Sequence, residues 1–474
     1  MKFKFASLSF PSALGAAVVL QFLVFTCAPA AGSPPALRPV VEAEEDVYTY
    51  TNADNGAGPM WCHGSTCLVR VGGNLFASGL ETLPGVKKLN NCRWTLYQRG
   101  PNGWQLQRVD ETGRTREPAP MAGFSDGRLF LSANPTLTPV GTYAGPAQPE
   151  ILQFSVKDVK ASFERLLPVW DGTPAFTEHS YRTFAADGPG RELILFQNIN
   201  YTHAEWAFRD RTGKWFARGQ LRWPYGADYP KPEPIRVCYP DVMLKDRAVY
   251  FCGISDVVEP YPEWRAYKKQ LTGNEWDYDF RRLFFAWTPD ITREKFRDWV
   301  EVASRDKTCG GISLGDLWLG PDGAVHLVWT ERAIDERLRA KFFPDARQSH
   351  ALNYAVLREG RVALRRTLML AEEGKPGETG SWPRFQVTPD NRLFVICYVS
   401  GQGADGKAVS ENRLIEIRPG GEIGTAVRVP FHKPFTLHFT ASVRGGSPPS
   451  KTLEMLGQRE GAPWTISYAR VRLW

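Results

Sequence analysis

Methionine and histidine are scarce in this chain of 474 residues, at Met 6 and His 7. After the N-terminus no apolar run approaches the ~20 residues that a membrane-spanning helix needs. There is no H-E-x-x-H, no EF-hand loop, no G-x-x-x-x-G-K-[ST] and no dinucleotide fingerprint, so no motif supports a zinc hydrolase, a calcium switch or a nucleotide enzyme. The missing G-X-Y period and heptads exclude collagen-like and coiled-coil chains. Lysine and arginine never form a run, and a formal charge of +7 is mild for this length, so nucleic acid is not an expected partner. The cysteines lack the paired spacing of a zinc site.

What is present is an all-β texture. Gly 43, Pro 36 and 12% aromatic residues supply many turns and many strand positions, and 43% hydrophobic content is enough for a packed core. The first residues read separately. Lys2 and Lys4 precede an apolar run from Ala13 to Phe25, and Ala28-Pro29-Ala30 offers small residues for cleavage. The expected organisation is a signal peptide over 1–31, a flexible tether over 32–45 carrying Pro34, Pro35 and Pro39, and one domain over 46–474. The mature chain is expected to be secreted or periplasmic, without a membrane span and monomeric. An oxidising compartment makes disulfides plausible. Cys238 and Cys252 flank a turn at Lys245-Asp246 almost symmetrically, which suggests a bridge across a hairpin. Cys62, Cys67, Cys92, Cys309 and Cys397 make the mature count odd, leaving at least one buried free thiol.

Internal repetition carries the fold. A tight turn followed by a β-branched or aromatic run recurs at Gly72, Ser125, Asp187, Lys245, Gly320, Pro389 and, most weakly, Arg444. The intervals are roughly 50 to 75 residues, longer than a compact propeller repeat, so each unit must carry inserted loops. Helical periodicity is confined to Lys157–Leu167 and Thr292–Val302. Seven units of about four short strands predict a seven-bladed β-propeller with four-stranded antiparallel blades. The early strand DVYTYTN at Asp46 is expected to close the ring beside the last one, WTISYARVRLW.

The segments WCHGSTCLVRVGGNLF from Trp61, EHSYRTFAAD from Glu178, SLGDLWLGPDGAVHLVW from Ser313, HALNYAV from His350 and WPRFQVTPDNRLFVICYVSG from Trp382 resemble a known group. They are similar to the secreted, sialidase-like BNR-repeat propellers that include ulvan lyases and propeller-type rhamnosidases. These are repeat motifs rather than a catalytic signature, and the S-x-D-x-G-x-x-W Asp box is only approximated at Gly320-Pro321-Asp322-Gly323. The resemblance implies carbohydrate chemistry on one propeller face.

Loop lengths choose the face. Connections after each second strand are long and chemically rich, notably Ser255 to Asp279 and Glu331 to Ser349, and functional residues concentrate on loops held by a rigid scaffold. The first strands begin at the same mouth. Those starts carry His63, His179, Tyr181, Arg182, Tyr239, Asp316, Trp382, Arg384 and His438. For β-elimination on a uronate, a base takes the proton beside the carboxylate, a cation neutralises that carboxylate, and an acid protonates the leaving oxygen. His63 or His179 is the expected base, with His438 at an equivalent blade position. Tyr239 or Tyr181 is the expected acid, its pKa lowered by a neighbouring cation. Arg182 or Arg384 is the expected carboxylate clamp. His203, Trp264, Trp276, Asp316 and Trp382 are the expected substrate contacts, the tryptophans by stacking on sugar rings. His326, His350 and His432 read as structural.

Glycoside hydrolysis of the rhamnosidase type is the alternative, with Asp241, Asp316, Glu178 and Glu205 as candidate carboxylates. A non-catalytic glycan- or protein-binding propeller is the third reading. No cofactor or metal is called for, although loop carbonyls leave room for a structural calcium. Gly311 to Gly315 matches G-x-S-x-G, but a hairpin pattern follows it in place of the strand–turn–helix that a nucleophilic serine requires.

Overall fold

The computed structural model describes residues 35–474 apart from Cys62; the expected signal peptide lies outside the described residues. Seven antiparallel sheets follow one another along the chain, each running outward from an inner to an outer strand. Blade one comprises Leu68–Val71, Asn74–Thr82, Cys92–Gly100 and Gly103–Val109; blade two Met121–Gly123, Arg128–Ala133, Glu150–Ser155 and Glu164–Leu166. Blade three comprises Thr183–Asp187, Glu192–Ile199, His203–Arg209 and Trp215–Arg222; blade four Val237–Lys245, Ala248–Ser255, Arg282–Thr288 and Val300–Ser304. Blade five comprises Gly311–Leu319, Val325–Arg332, Ser349–Arg358 and Arg361–Glu372. Blade six comprises Glu378–Val387, Leu393–Gln402, Ala408–Arg418 and Glu422–Ile423, with Val427–Val429 also along its third strand.

Blade seven is assembled from both ends of the chain. Phe435–Thr440, Thr452–Arg459 and Ala462–Arg472 are completed by Val40–Thr49, which pairs antiparallel along Ala462–Arg472. The closure expected from the sequence is thus present, and it starts at Val40, inside the segment read as a tether. The first strand thereby becomes the outer strand of this blade and ties the two ends of the ring together.

All seven tight turns fall between first and second strands, as the repeats predict. The inner strands are almost wholly buried because blades pack face to face around the axis, and the core divides into clusters between neighbouring blades. Gly311 to Gly315 lies in the inner strand of blade five, so the G-x-S-x-G match forms no nucleophile elbow.

The helices are not where periodicity put them. Lys157–Leu167 and Thr292–Val302 are turns leading into strands. Asp158 Oδ1 accepts the Lys160 and Ala161 amides at 3.0 Å each, and Asp290 Oδ1 accepts the Thr292 amide at 2.9 Å. Aspartate side chains thereby take up amides and turn the chain. The helices found are α1 (Pro262–Thr272) and α2 (Glu336–Phe342), both in long loops of the same face. Pro262 opens α1 and Gly273, at φ 74, ends it. Asp335 caps α2 by accepting the Arg337 amide at 3.0 Å.

The proposed bridge is also corrected. Cys238 and Cys252 are both free and buried. A bulge between Cys238 and Asp241 shifts the hairpin register, so Cys238 faces Ile254 and Cys252 faces Asp241.

Candidate active site at the loop-face mouth

The site begins with a short segment that fills the propeller axis. Residues 63–66, just before blade one, touch blades on different sides of the ring. The Thr66 carbonyl accepts the Met121 amide of blade two at 2.9 Å. Ser65 Oγ accepts the Phe184 amide of blade three at 3.1 Å. Gly64 lies against the Pro240 carbonyl of blade four, where an added Cβ would come within 1.8 Å of the oxygen. Thr66 Oγ1 donates to Thr440 of blade seven at 2.8 Å. Only an axial position reaches all of these. From the other face Val443–Gly445 enters the axis, and Gly446 adopts φ 83 against the Gly123 carbonyl.

On the loop-face side of this plug the rings gather. Trp61 stacks on Tyr181 at 5.0 Å, meets Tyr239 edge-on at 5.4 Å and lies 5.6 Å from His179. His63 lies 4.7 Å from Tyr239 and 4.8 Å from Trp382. His179 and Tyr181 are 4.6 Å apart, and Tyr181 and Tyr239 5.0 Å. The set expected from strand-start positions, His63, His179, Tyr181, Tyr239 and Trp382, therefore forms one cluster drawn from four blades. Tyr181, Tyr239 and Trp382 all have left-handed backbones, with φ of 38, 47 and 50. The last two sit in bulges of the inner strands. Bulky residues in that region carry strain of about 1–3 kcal/mol each, and such strain concentrates where a side chain must be aimed.

The electrostatics assign protonation states. Burial pushes His63 down to about 3, with Arg384 adding to the effect. His179 is likewise pushed down to about 3 by burial, then by Arg116 and Arg236. Both imidazoles are neutral at pH 7, and burial and the neighbouring arginines disfavour their protonated form. Burial raises Tyr181 and Tyr239 well above the usual phenol range, and Arg236 offsets this only in part for Tyr181. The expected cation-lowered tyrosine is therefore corrected: these phenols stay protonated, a donor's state.

Arg116 and Arg236, which strand-start reading did not single out, are the cations beside the rings. Arg116 is half-buried, donates Nε to the Asn55 carbonyl at 2.9 Å and holds its guanidinium carbon 6.0 Å from the Trp61 ring centre. Arg236 immediately precedes the inner strand of blade four. It pairs with Asp256 at 2.6 Å and lies under Tyr201 at 4.0 Å, with Tyr181 and Tyr278 nearby. Arg236 stands at the same offset before the Lys245 turn as His63 before Gly72, so the strand-start pattern held it without singling it out; Arg116, in a connection between blades, left no such signal.

The other expected residues are placed differently. Arg182 is buried, donating to the Pro118 carbonyl at 2.8 Å and facing Glu117 at 3.9 Å. Arg384 is buried too and donates to the carbonyls of His63, at 3.0 Å, and Gly315. Neither guanidinium faces the mouth as a free clamp. His438 has no exposed surface and is pushed down to about 3 by burial and Arg384. Asp316 accepts from Arg444 at 2.6 and 2.8 Å. His203 bonds Thr202 at 2.7 Å and Glu205 at 3.0 Å, outside the ring cluster. Trp264 packs on Tyr261 and Phe343 within the α1–α2 contact, whereas Trp276 is 65% exposed with Arg265 5.7 Å from its ring.

A network under the long loops fixes their course. Arg281 pairs with Glu259, Asp279 and Asp306 at 3.0, 3.2 and 2.7 Å, and Lys268 of α1 pairs with Glu259 at 2.6 Å and Asp335 at 3.7 Å. Among the described residues no cluster of three or more metal-ligating side chains occurs, and no helix is long and apolar enough to cross a membrane. A separate cavity of about 440 Å³ lies between blades five and six, lined by Trp318, His326 and Tyr354 and away from the ring cluster.

No family model and no curated protein matches the chain. Solved structures do. A protein of unknown function from Dyadobacter fermentans is 11% identical, with 92% of this chain and 99% of that one covered and a TM-score of 0.43. The Penicillium chrysogenum alpha-L-arabinanase is 12% identical, with 92% and 99% covered and a TM-score of 0.41. The Synechocystis apocarotenoid oxygenase is 11% identical, with 90% and 88% covered and a TM-score of 0.43. At this level of likeness nothing about residues or reaction transfers.

Proposed function

We propose that the protein acts on an acidic glycan at the loop-face mouth, cleaving it by β-elimination next to a uronate. The observation that carries this reading is His179, a neutral imidazole held among Trp61 and Tyr181 with Arg116 and Arg236 as its nearest cations. A uronate carboxylate at Arg116 would add negative charge beside His179 and raise its basicity on binding. The imidazole would then take the proton at C5. That electron pair forms the C4=C5 double bond, the C4–O bond breaks, and Tyr181 or Tyr239 passes its phenolic proton to the leaving oxygen. Exposed Trp276 beside Arg265 suits a sugar face with a carboxylate nearby. The resemblance to ulvan lyases in the repeat motifs agrees with this cast. On this reading the domain works as a secreted or periplasmic monomer after removal of 1–31, which the basic and apolar N-terminal pattern leads one to expect.

The hydrolase reading has less support. Asp241 and Asp316 are buried around Arg444 at 2.9 and 2.6 Å. Glu178 accepts the Gly145 amide, and Glu205 is held by His203 and Gln220. None of these pairs faces the mouth as two open carboxylates.

The test is incubation of the mature chain with a panel of uronate polysaccharides, following ultraviolet absorbance of the conjugated double bond. Rising absorbance that His179→Ala abolishes, with folding retained, supports the reading. New saturated sugars without absorbance would mean hydrolysis. Silence in both, with binding on glycan arrays, would make the protein a binding propeller.

A further inference from the structure

Trp61, His63 and Gly64 belong to no strand. The backbone of His63 and Gly64 is held from below by two arginines of other blades. Arg384, in the inner strand of blade six, donates Nη2 to the His63 carbonyl at 3.0 Å and Nη1 to the Gly315 carbonyl of blade five. Arg444, just past the inner strand of blade seven, donates Nη1 to the Gly64 carbonyl at 2.7 Å. Asp316 orients Arg444 through two bonds of 2.8 and 2.6 Å and is itself fixed by the Phe385 amide at 2.8 Å. Asp241 faces the same arginine at 2.9 Å. All four side chains are buried. Two guanidinium groups and two carboxylates sit in the axis where apolar packing would also close the ring. Breaking such a network is costly, and replacing it by apolar groups is often neutral. Its distinguishing property is the placing of donors on two consecutive carbonyls.

We infer that Arg384 and Arg444, set by Asp316, are positioning residues that fix the height and rotation of the His63 segment at the mouth. Neither is a substrate clamp. The charge of Arg384 also acts on the imidazole above it, which helps to keep His63 neutral. Among the described residues, the rings of Tyr239 and Trp382 also face it. In kinetic terms the inference rests on the elimination reading; in structural terms it stands alone.

The experiment uses the full mature chain with Arg384→Lys and Arg384→Met, read by histidine NMR titration of His63 and by the elimination assay. Lysine keeps the charge but cannot reach both carbonyls. Arg384→Lys is expected to move the His63 ring resonances, leave its titration low and reduce kcat roughly 10- to 100-fold with KM within about twofold, as a misplaced group does. Arg384→Met is expected to raise the His63 titration by about 1 pH unit or more. Should the methionine variant not fold, the lysine variant decides. Glu454→Gln, in the second strand of blade seven, serves as a destabilised control with unchanged His63 signals. Unmoved His63 resonances in folded Arg384→Lys would overturn the inference whatever the activity. Moved resonances in a chain without elimination activity would uphold it and remove the elimination reading instead.

Discussion

Gly64 lies so close to Pro240 that an added Cβ would sit 1.8 Å from the carbonyl oxygen and 2.2 Å from the carbonyl carbon. The obstacle is backbone on a bulged inner strand of blade four, so it cannot swing aside as a side chain would. Gly64→Ala should therefore cost about 3 kcal/mol or more, at the upper end of over-packing. Gly58, with nothing within 4 Å of its added Cβ, is the control and should tolerate alanine. Urea unfolding of the two variants checks this, and equal midpoints would contradict the axial placement.

Acid should expose the buried histidines. His438 is fully buried and held at about 3, below the ordinary 6.5. With a folded pKa below the unfolded one, the unfolded chain binds the extra proton between these values. Stability from this group is full above pH 6.5 and is lost as pH falls toward 3. From pH 6.5 to 4.5 the native chain should lose up to about 2 kcal/mol more than His438→Phe. Asp241, raised to about 8 by burial, works in the opposite direction as pH rises from 4 to 8. Only the difference between variant and native chain therefore isolates His438. Chemical denaturation at both pH values measures it.

Arg281→Met should unfasten the α1 loop. The guanidinium faces Glu259, Asp279 and Asp306, and Asp279 is already raised to about 7 by burial. Removing the cation leaves buried Asp279 without its arginine, at a cost of about 3–5 kcal/mol. Hydrogen exchange should rise first over 256–281, ahead of the inner strands.

Cys238 and Cys252 should both react with an alkylating reagent in denaturant without prior reduction, since both are free thiols. Peptide mapping checks this, and a peptide joining the two would contradict the bulged register. The thiols should stay protected in the native chain because both are buried.

The sequence alone determined the propeller. Turn chemistry such as Gly72-Gly73 and Lys245-Asp246 acts over a few residues, and strands such as RLFLSA alternate between two packed faces, so seven units are countable without coordinates. Strand-start positions also brought out His63, His179, Tyr181, Tyr239 and Trp382, because blades repeat the same phase relative to the mouth. Local pattern failed where side chains competed for the backbone, as at Asp158 and Asp290, and where one extra residue changed a register, as at Cys238. It also could not tell an arginine at the mouth from one beneath it. Arg384 lies within an inner strand and Arg236 just before one, yet the first bonds carbonyls of the axial plug and the second lies beneath tyrosine rings. That distinction depends on His63 and Gly64 entering the axis, a contact between residues as distant in sequence as Gly64 and Arg444. Only closing the ring brings such residues within hydrogen-bonding range, and that closure decides which charges face the mouth and which are locked beneath it.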